Sequence, residues 1–281
     1  MSAVAGRPEP AGENRLDSCL GALRAAGRRA LATFVTAGDP VPDATVPALH
    51  ALVRGGADVL ELGVPFSDPE AEGPAIQASS ERGLAQGMTL RGVLDIVREF
   101  RADDGRTPVV LMGYYNSVLA MGCARFAEAA AQAGVDGLIM VNLPPEEAAE
   151  LKPALDAHGI RLIFLVAPTT TEARARMIVD AAQGFVYYVS LKGITGSGNL
   201  DVAAVAEKLA WLKRLTPLPV LVGFGIKTGA VARALGVHAD GVVVGSALVE
   251  RMAATEDPAQ IPQALETEVR LLRAALDELS G

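Results

Sequence analysis

The sequence predicts an α/β fold, a single (β/α)8 TIM barrel with an extra N-terminal helix. Three observations predict it: eight short apolar runs recur along 281 residues, amphipathic helical stretches alternate with them, and no linker interrupts the alternation. Half the residues are hydrophobic, and a chain of this length buries roughly three quarters of its unfolded surface. A large core is available, which excludes disorder. Residues 1–15, rich in Ala, Gly, Pro and Glu and lacking a continuous apolar segment, are expected to form a flexible tail rather than a secretion signal. The barrel domain is expected over 16–281.

Element by element, Leu16, Leu20 and Leu23 share one face of a helix ahead of the first strand. Strands are expected at 30–36, 59–63, 109–113, 137–141, 162–166, 185–190, 220–223 and 242–245. Each is near-continuously apolar, as a parallel strand covered on both faces must be. Amphipathic helices are expected at 43–54, 89–101, 124–133, 146–158, 172–182, 202–214 and 229–235, with 261–279 closing the chain. An open doubly wound sheet is the competing architecture, but no Gly-x-Gly-x-x-Gly follows the first strand.

Charge and cysteine content exclude several functions. Lys and Arg number 25 against 33 Asp and Glu, a net charge of −8, which argues against nucleic-acid backbones and anionic lipid as partners. No apolar run approaches the roughly 20 residues needed to span a bilayer, so a cytoplasmic protein is expected. Cys19 and Cys123 fit neither a disulfide framework nor a metal cluster. His50, His158 and His238 fall on or beside helices and read as structural or surface residues; with no His/Cys/Asp cluster at ligand spacing, no metal site is expected.

In a barrel, chemistry sits at the C-terminal ends of the strands. Gly223 and Gly225 after strand seven, with Gly245 and Ser246 after strand eight, match the usual barrel phosphate site, where small residues let backbone N–H groups approach an anion. Gly193 to Gly196 supply a further wall. Glu61 lies within strand two among apolar neighbours, so its carboxyl group is desolvated and suits a general acid–base; a structural carboxylate is the alternative. Glu70 and Glu72 lie in a Pro- and Gly-rich loop whose composition alone reads as solvated. Lys192, one of five lysines, is better read as a surface or anion-facing residue than as a Schiff-base amine.

Several segments resemble a known family. They are Phe34-Val35-Thr36-Ala37-Gly38-Asp39-Pro40, Glu61-Leu62-Gly63-Val64-Pro65-Phe66-Ser67-Asp68-Pro69, Gly73-Pro74 with Ile76-Gln77, and Leu111-Met112-Gly113-Tyr114-Tyr115-Asn116. Leu143-Pro144-Pro145-Glu146-Glu147, Gly193 to Gly196, Gly223 to Ile226 and Gly245-Ser246 complete the set, which spans almost the whole chain. Together they resemble the tryptophan synthase alpha subunit. The resemblance implies a lyase that splits indole-3-glycerol phosphate into indole and glyceraldehyde 3-phosphate without metal or cofactor. It implies passage of indole to a beta subunit, in an alpha2beta2 assembly. Alternatives are a stand-alone or repurposed lyase, or a weakened alpha subunit that mainly activates its partner.

By the same resemblance, Glu61, Glu72 and Tyr187 are the catalytic group, with Glu61 the general acid–base. Gly196, Gly223, Gly225, Gly245 and Ser246 hold the phosphate, and Phe34, Leu111, Ile139 and Phe224 pack around the indole. Four positions depart from the family's usual pattern, the first being Glu70 in place of Leu, which sets a second negative charge two residues from Glu72 and is expected to raise the pKa of both if the side chains converge. Glu72 stands where the family carries an Asp that engages the indole N–H. Its extra methylene displaces the carboxyl group by up to ~1.5 Å, and an error near 1 Å costs on the order of 100-fold in rate. Asn142 replaces a common Asp, and Ser117 a common Pro.

Overall fold

The computed structural model describes residues 14–190, 201–223 and 225–279. Eight parallel strands close into a barrel in sequence order: β1 (Ala30–Thr36), β2 (Val59–Gly63), β3 (Val109–Gly113), β4 (Gly137–Met140), β5 (Arg161–Val166), β6 (Val186–Val189), β7 (Val220–Gly223) and β8 (Gly241–Val244). Hydrogen bonding between β8 and β1 completes the ring. Around it run α1 (Arg15–Ala25), α2 (Thr45–Gly55), α3 (Pro74–Ala85), α4 (Leu90–Asp103), α5 (Tyr115–Met121), α6 (Cys123–Ala133), α7 (Leu151–Ala157), α8 (Glu172–Ala181), α9 (Val202–Leu212), α10 (Gly229–Gly236), α11 (Ser246–Ala254) and α12 (Ile261–Asp277). No helix among the described residues is long and apolar enough to cross a membrane.

Alternation along each strand sorts the core into two layers. Leu31, Leu60, Leu62, Leu111 and Leu138 face the helices. Ala30, Ala32, Val59, Val110, Ile139, Ile163, Leu221 and Val243 fill the barrel interior. The interior cluster also includes Leu16, Leu20 and Leu23, so α1 plugs the N-terminal mouth. Asn14 caps this helix, accepting from the Leu16 and Asp17 amides. Asn14 and Arg15, which sequence composition assigns to the tail, therefore belong to the start of α1; residues 1–13 lie outside the described residues.

Four departures from the predicted helices have physical causes. The stretch 146–158 is broken into a 3-10 turn (Pro145–Glu147) and α7. Pro153 near the start of α7 lacks an amide that a continuous helix needs. The sequence reading omits α3, whose buried face is Ser79, Ser80 and Gly83 rather than an apolar stripe. It omits α5, seven residues burying only Val118. It omits α11, which begins one residue after the glycine-terminated β8 run.

The barrel base carries a device repeated four times. Asp58, Asp136, Gln183 and Asp240 each precede an even-numbered strand. Their side chains accept the amides of Leu31, Val109, Leu162 and Val220 at the odd-numbered strands. Their own amides donate back to the carbonyls of the same four residues, at 2.8, 2.9, 3.0 and 2.9 Å. Arg273 pairs with Asp58, Arg15 and Arg101 with Asp136, and Lys213 with Asp240. Strands are thus tied in pairs at the end remote from the cavity.

Candidate active site

A cavity of about 330 Å³ opens at the C-terminal ends of the strands, a size suited to a small molecule. One side presents carboxyl groups: Glu61 from β2, with Glu70 and Glu72 from the loop that follows. Across it lie Gly225, Gly245 and Ser246 after β7 and β8. Between them, Phe34, Met112, Val141, Leu165 and Val189 form apolar walls.

Glu61 is fully buried, and neither carboxyl oxygen has a hydrogen-bond partner among the described residues. Desolvation raises its pKa from 4.5 to about 8, so at neutral pH it holds a proton. Tyr187 lines the same cavity from β6; burial, then the nearby charge of Glu61, pushes its phenol well above the usual value, so it stays protonated. Its ring lies on Gly223, where a Cβ would come within 2.4 Å of the phenolic oxygen. Gly223 is therefore the seat of Tyr187, and its carbonyl accepts from Ser190; it does not line the cavity.

The remaining glycines divide by role. Gly225, with φ of +75°, adopts a left-handed backbone that a side chain would strain. Gly245 leads into α11, whose first amides begin at Ser246 beside the cavity. A helix N-terminus with free N–H groups favours an anion there. Phe34 rises from β1 between Gly63 and Gly245, both too close to its ring to carry a side chain without a shift.

Glu72 is half-buried at the cavity edge. Burial raises its pKa, opposed by a hydrogen bond donated by the Tyr114 hydroxyl. That hydroxyl accepts the Ala71 amide at 3.0 Å, and the Tyr114 ring stacks on Phe66 with centroids 4.6 Å apart. Gln77 donates to the carbonyls of Pro69 and Glu72. At the neighbouring rim, Asn142 accepts from the Tyr115 amide and donates to Asn116.

One predicted indole contact, Leu111, is corrected. Leu111 faces the helix layer, because β2–β3 pairing sets Val110 opposite Glu61 and Met112 opposite Gly63, turning Leu111 outward. Ile139, opposite Met112 in the β3–β4 register, points inward in the same cluster as Tyr187 and Val243, and Val141, two residues on, lines the cavity. Gly196, Phe224 and Lys192 lie outside the described residues. Sequence reasoning missed Met112, Val141, Leu165 and Tyr114; an apolar run without polar alternation carries no signal of which face points inward.

A profile of the family described as tryptophan synthase alpha chain matches residues 20–277. The chain belongs to the tryptophan synthase alpha chain family. It is 56% identical over 264 residues to the tryptophan synthase alpha chain of Laribacter hongkongensis (strain HLHK9), covering 94% of this chain and 99% of that one. It is 55% identical over 268 residues to that of Alkalilimnicola ehrlichii (strain ATCC BAA-1101 / DSM 17681 / MLHE-1), covering 95% and 98%. Among solved structures, tryptophan synthase subunit alpha from Legionella pneumophila str. Paris aligns with a TM-score of 0.87 at 42% identity, covering 95% of this chain and all of that one. The family's activity is the lyase cleavage of indole-3-glycerol phosphate in tryptophan biosynthesis, and its name as an alpha chain implies a beta-subunit partner.

Proposed function

We propose that this cavity performs the family's reaction, with Glu61 as the group that moves the protons. The observation that carries the reading is a fully buried, unpartnered carboxyl group across one cavity from the α11 N-terminus. Phosphate on the Gly225, Gly245 and Ser246 side fixes the glycerol chain, so that the bond to be broken is presented to Glu61. Glu61, neutral at the start, gives its proton to the indole ring carbon that bears the side chain. The resulting carboxylate takes the proton of the adjacent glycerol hydroxyl as the carbon–carbon bond breaks, releasing indole and an aldehyde. Glu61 is thereby restored. Glu72 accepts the indole N–H, Tyr187 bounds the acid's pocket, and Phe34, Met112, Val141 and Leu165 enclose the ring.

Glu61→Gln tests this. Indole release from indole-3-glycerol phosphate falls ~10²–10⁴-fold if a general acid–base is lost, while binding of glyceraldehyde 3-phosphate is retained. A turnover within threefold of the parent overturns the role. We further propose an alpha2beta2 assembly with a beta subunit and a cytoplasmic location. Size-exclusion with light scattering of the mixed subunits decides the stoichiometry.

A further inference from the structure

We propose that Tyr114 is a positioning residue, which fixes the Glu72 carboxyl group for the substrate's ring N–H; this rests on the lyase reading above. Tyr114 sits directly after β3, is 5% exposed, and holds the loop after β2 at three points. Its ring stacks on Phe66, its hydroxyl accepts the Ala71 amide, and the same hydroxyl donates to Glu72 Oε2. Gln77 meanwhile grips the Glu72 carbonyl at 2.9 Å. The backbone of residue 72 is thus held by α3 and its carboxyl group by the tyrosine that follows β3.

The arrangement suits glutamate in particular. With the backbone pinned by Gln77, a side chain one methylene shorter falls up to ~1.5 Å short of the Tyr114 hydroxyl. Glutamate without Tyr114 has three free torsions and no fixed direction. Tyr114 and Glu72 therefore work as a matched pair, and the added methylene is taken up by the hydroxyl that receives it.

The other ionisable groups lining the cavity are Glu61 on β2, Glu70 in the same loop and Tyr187 on β6; no Lys, Arg or His lines it among the described residues. Among the described residues, the Tyr114 hydroxyl is the side-chain donor that favours the ionised form of Glu72. Removing it favours protonation, and a protonated Glu72 is a poorer acceptor for a ring N–H.

The test is Tyr114→Phe in the full-length chain, a change that retains the ring on Phe66. Expected is a loss in kcat/KM for indole release that grows as pH falls, towards a limit of about 10-fold for each pH unit by which the Glu72 titration moves. In a Glu72→Gln background the same substitution has no further effect, because a residue acting through the carboxylate has nothing left to act on. Carboxyl ¹³C resonances, with Glu72 assigned by its loss in Glu72→Gln, titrate at higher pH in Tyr114→Phe than in the parent. An equal loss at every pH, an additive effect in the Glu72→Gln background, or an unmoved titration overturns the proposal. The titration needs no substrate: should the parent release no indole, the lyase reading falls while the Tyr114 assignment is still decided.

Discussion

Replacing Glu61 with glutamine changes stability in a way that only a buried, unpaired carboxyl group predicts. In the folded chain Glu61 titrates near pH 8, against an ordinary value of 4.5. Between those values the folded state keeps a proton that the unfolded state has lost, so stability falls as pH rises. The slope is about 1.4 kcal/mol per pH unit, and the full difference of 4.5 to about 8 corresponds to roughly 5 kcal/mol. The amide introduced by Glu61→Gln is neutral in both states and removes that slope. Urea unfolding of parent and variant at half-unit steps from pH 4 to pH 9 reads it directly. The variant and parent coincide near pH 4, diverge steadily through pH 5–8 in favour of the variant, and run parallel above. A stability difference independent of pH would refute the reasoning, since it would mean that Glu61 is ionised or paired in the folded chain. The variant that is more stable at pH 8 is the one expected to lose turnover, which separates a functional acid from a structural one.

Two further outcomes follow from the opposite ends of the barrel. Asp136 is 2% exposed and holds Arg101, Arg15 and the Val109 amide, so Asp136→Ala leaves buried partners uncompensated and costs ~3–5 kcal/mol, read by urea unfolding, with kcat of the folded fraction unchanged. At the α11 N-terminus, inorganic phosphate raises the parent's Tm by mass action, and Ser246→Asp, which puts a negative charge at that site, abolishes the protection; undiminished protection would move the anion site elsewhere.

The barrel was legible because strands covered on both faces must be apolar throughout, and β1, β2, β3 and β7 have the bounds the sequence predicts. That same uniformity hid the inward faces. Nothing in Val109-Val110-Leu111-Met112 marks Met112 as the cavity residue; pairing with β2 decides it. Helix α3 was invisible for a related reason. It meets β1 through Thr36 and Ser79, whose hydroxyls lie 2.6 Å apart, and the loop after β1 through an ion pair from Arg82 to the buried Asp39. A polar contact of this kind leaves no hydrophobic period to read. Glu61 was legible because a carboxyl group inside an apolar strand is conspicuous, whereas the role of Tyr114 depends on a loop folding back upon it.

Buried acids in this chain are graded by how far the fold compensates them. Asp58, at the base, has a backbone amide and the Arg273 guanidinium against the desolvation that raises its pKa. Glu72, at the cavity edge, has a tyrosine hydroxyl and local backbone amides but, among the described residues, no cation. Glu61, in the cavity wall, has nothing among the described residues. Pairing offsets part of the desolvation of a buried carboxyl group and lets it tie strands together. An unpaired one weakens the fold but sits at a pKa from which it can both give and take a proton. Of these three acids, the least compensated is the one that lines the cavity, where the proposed reaction needs a group that can both give and take a proton.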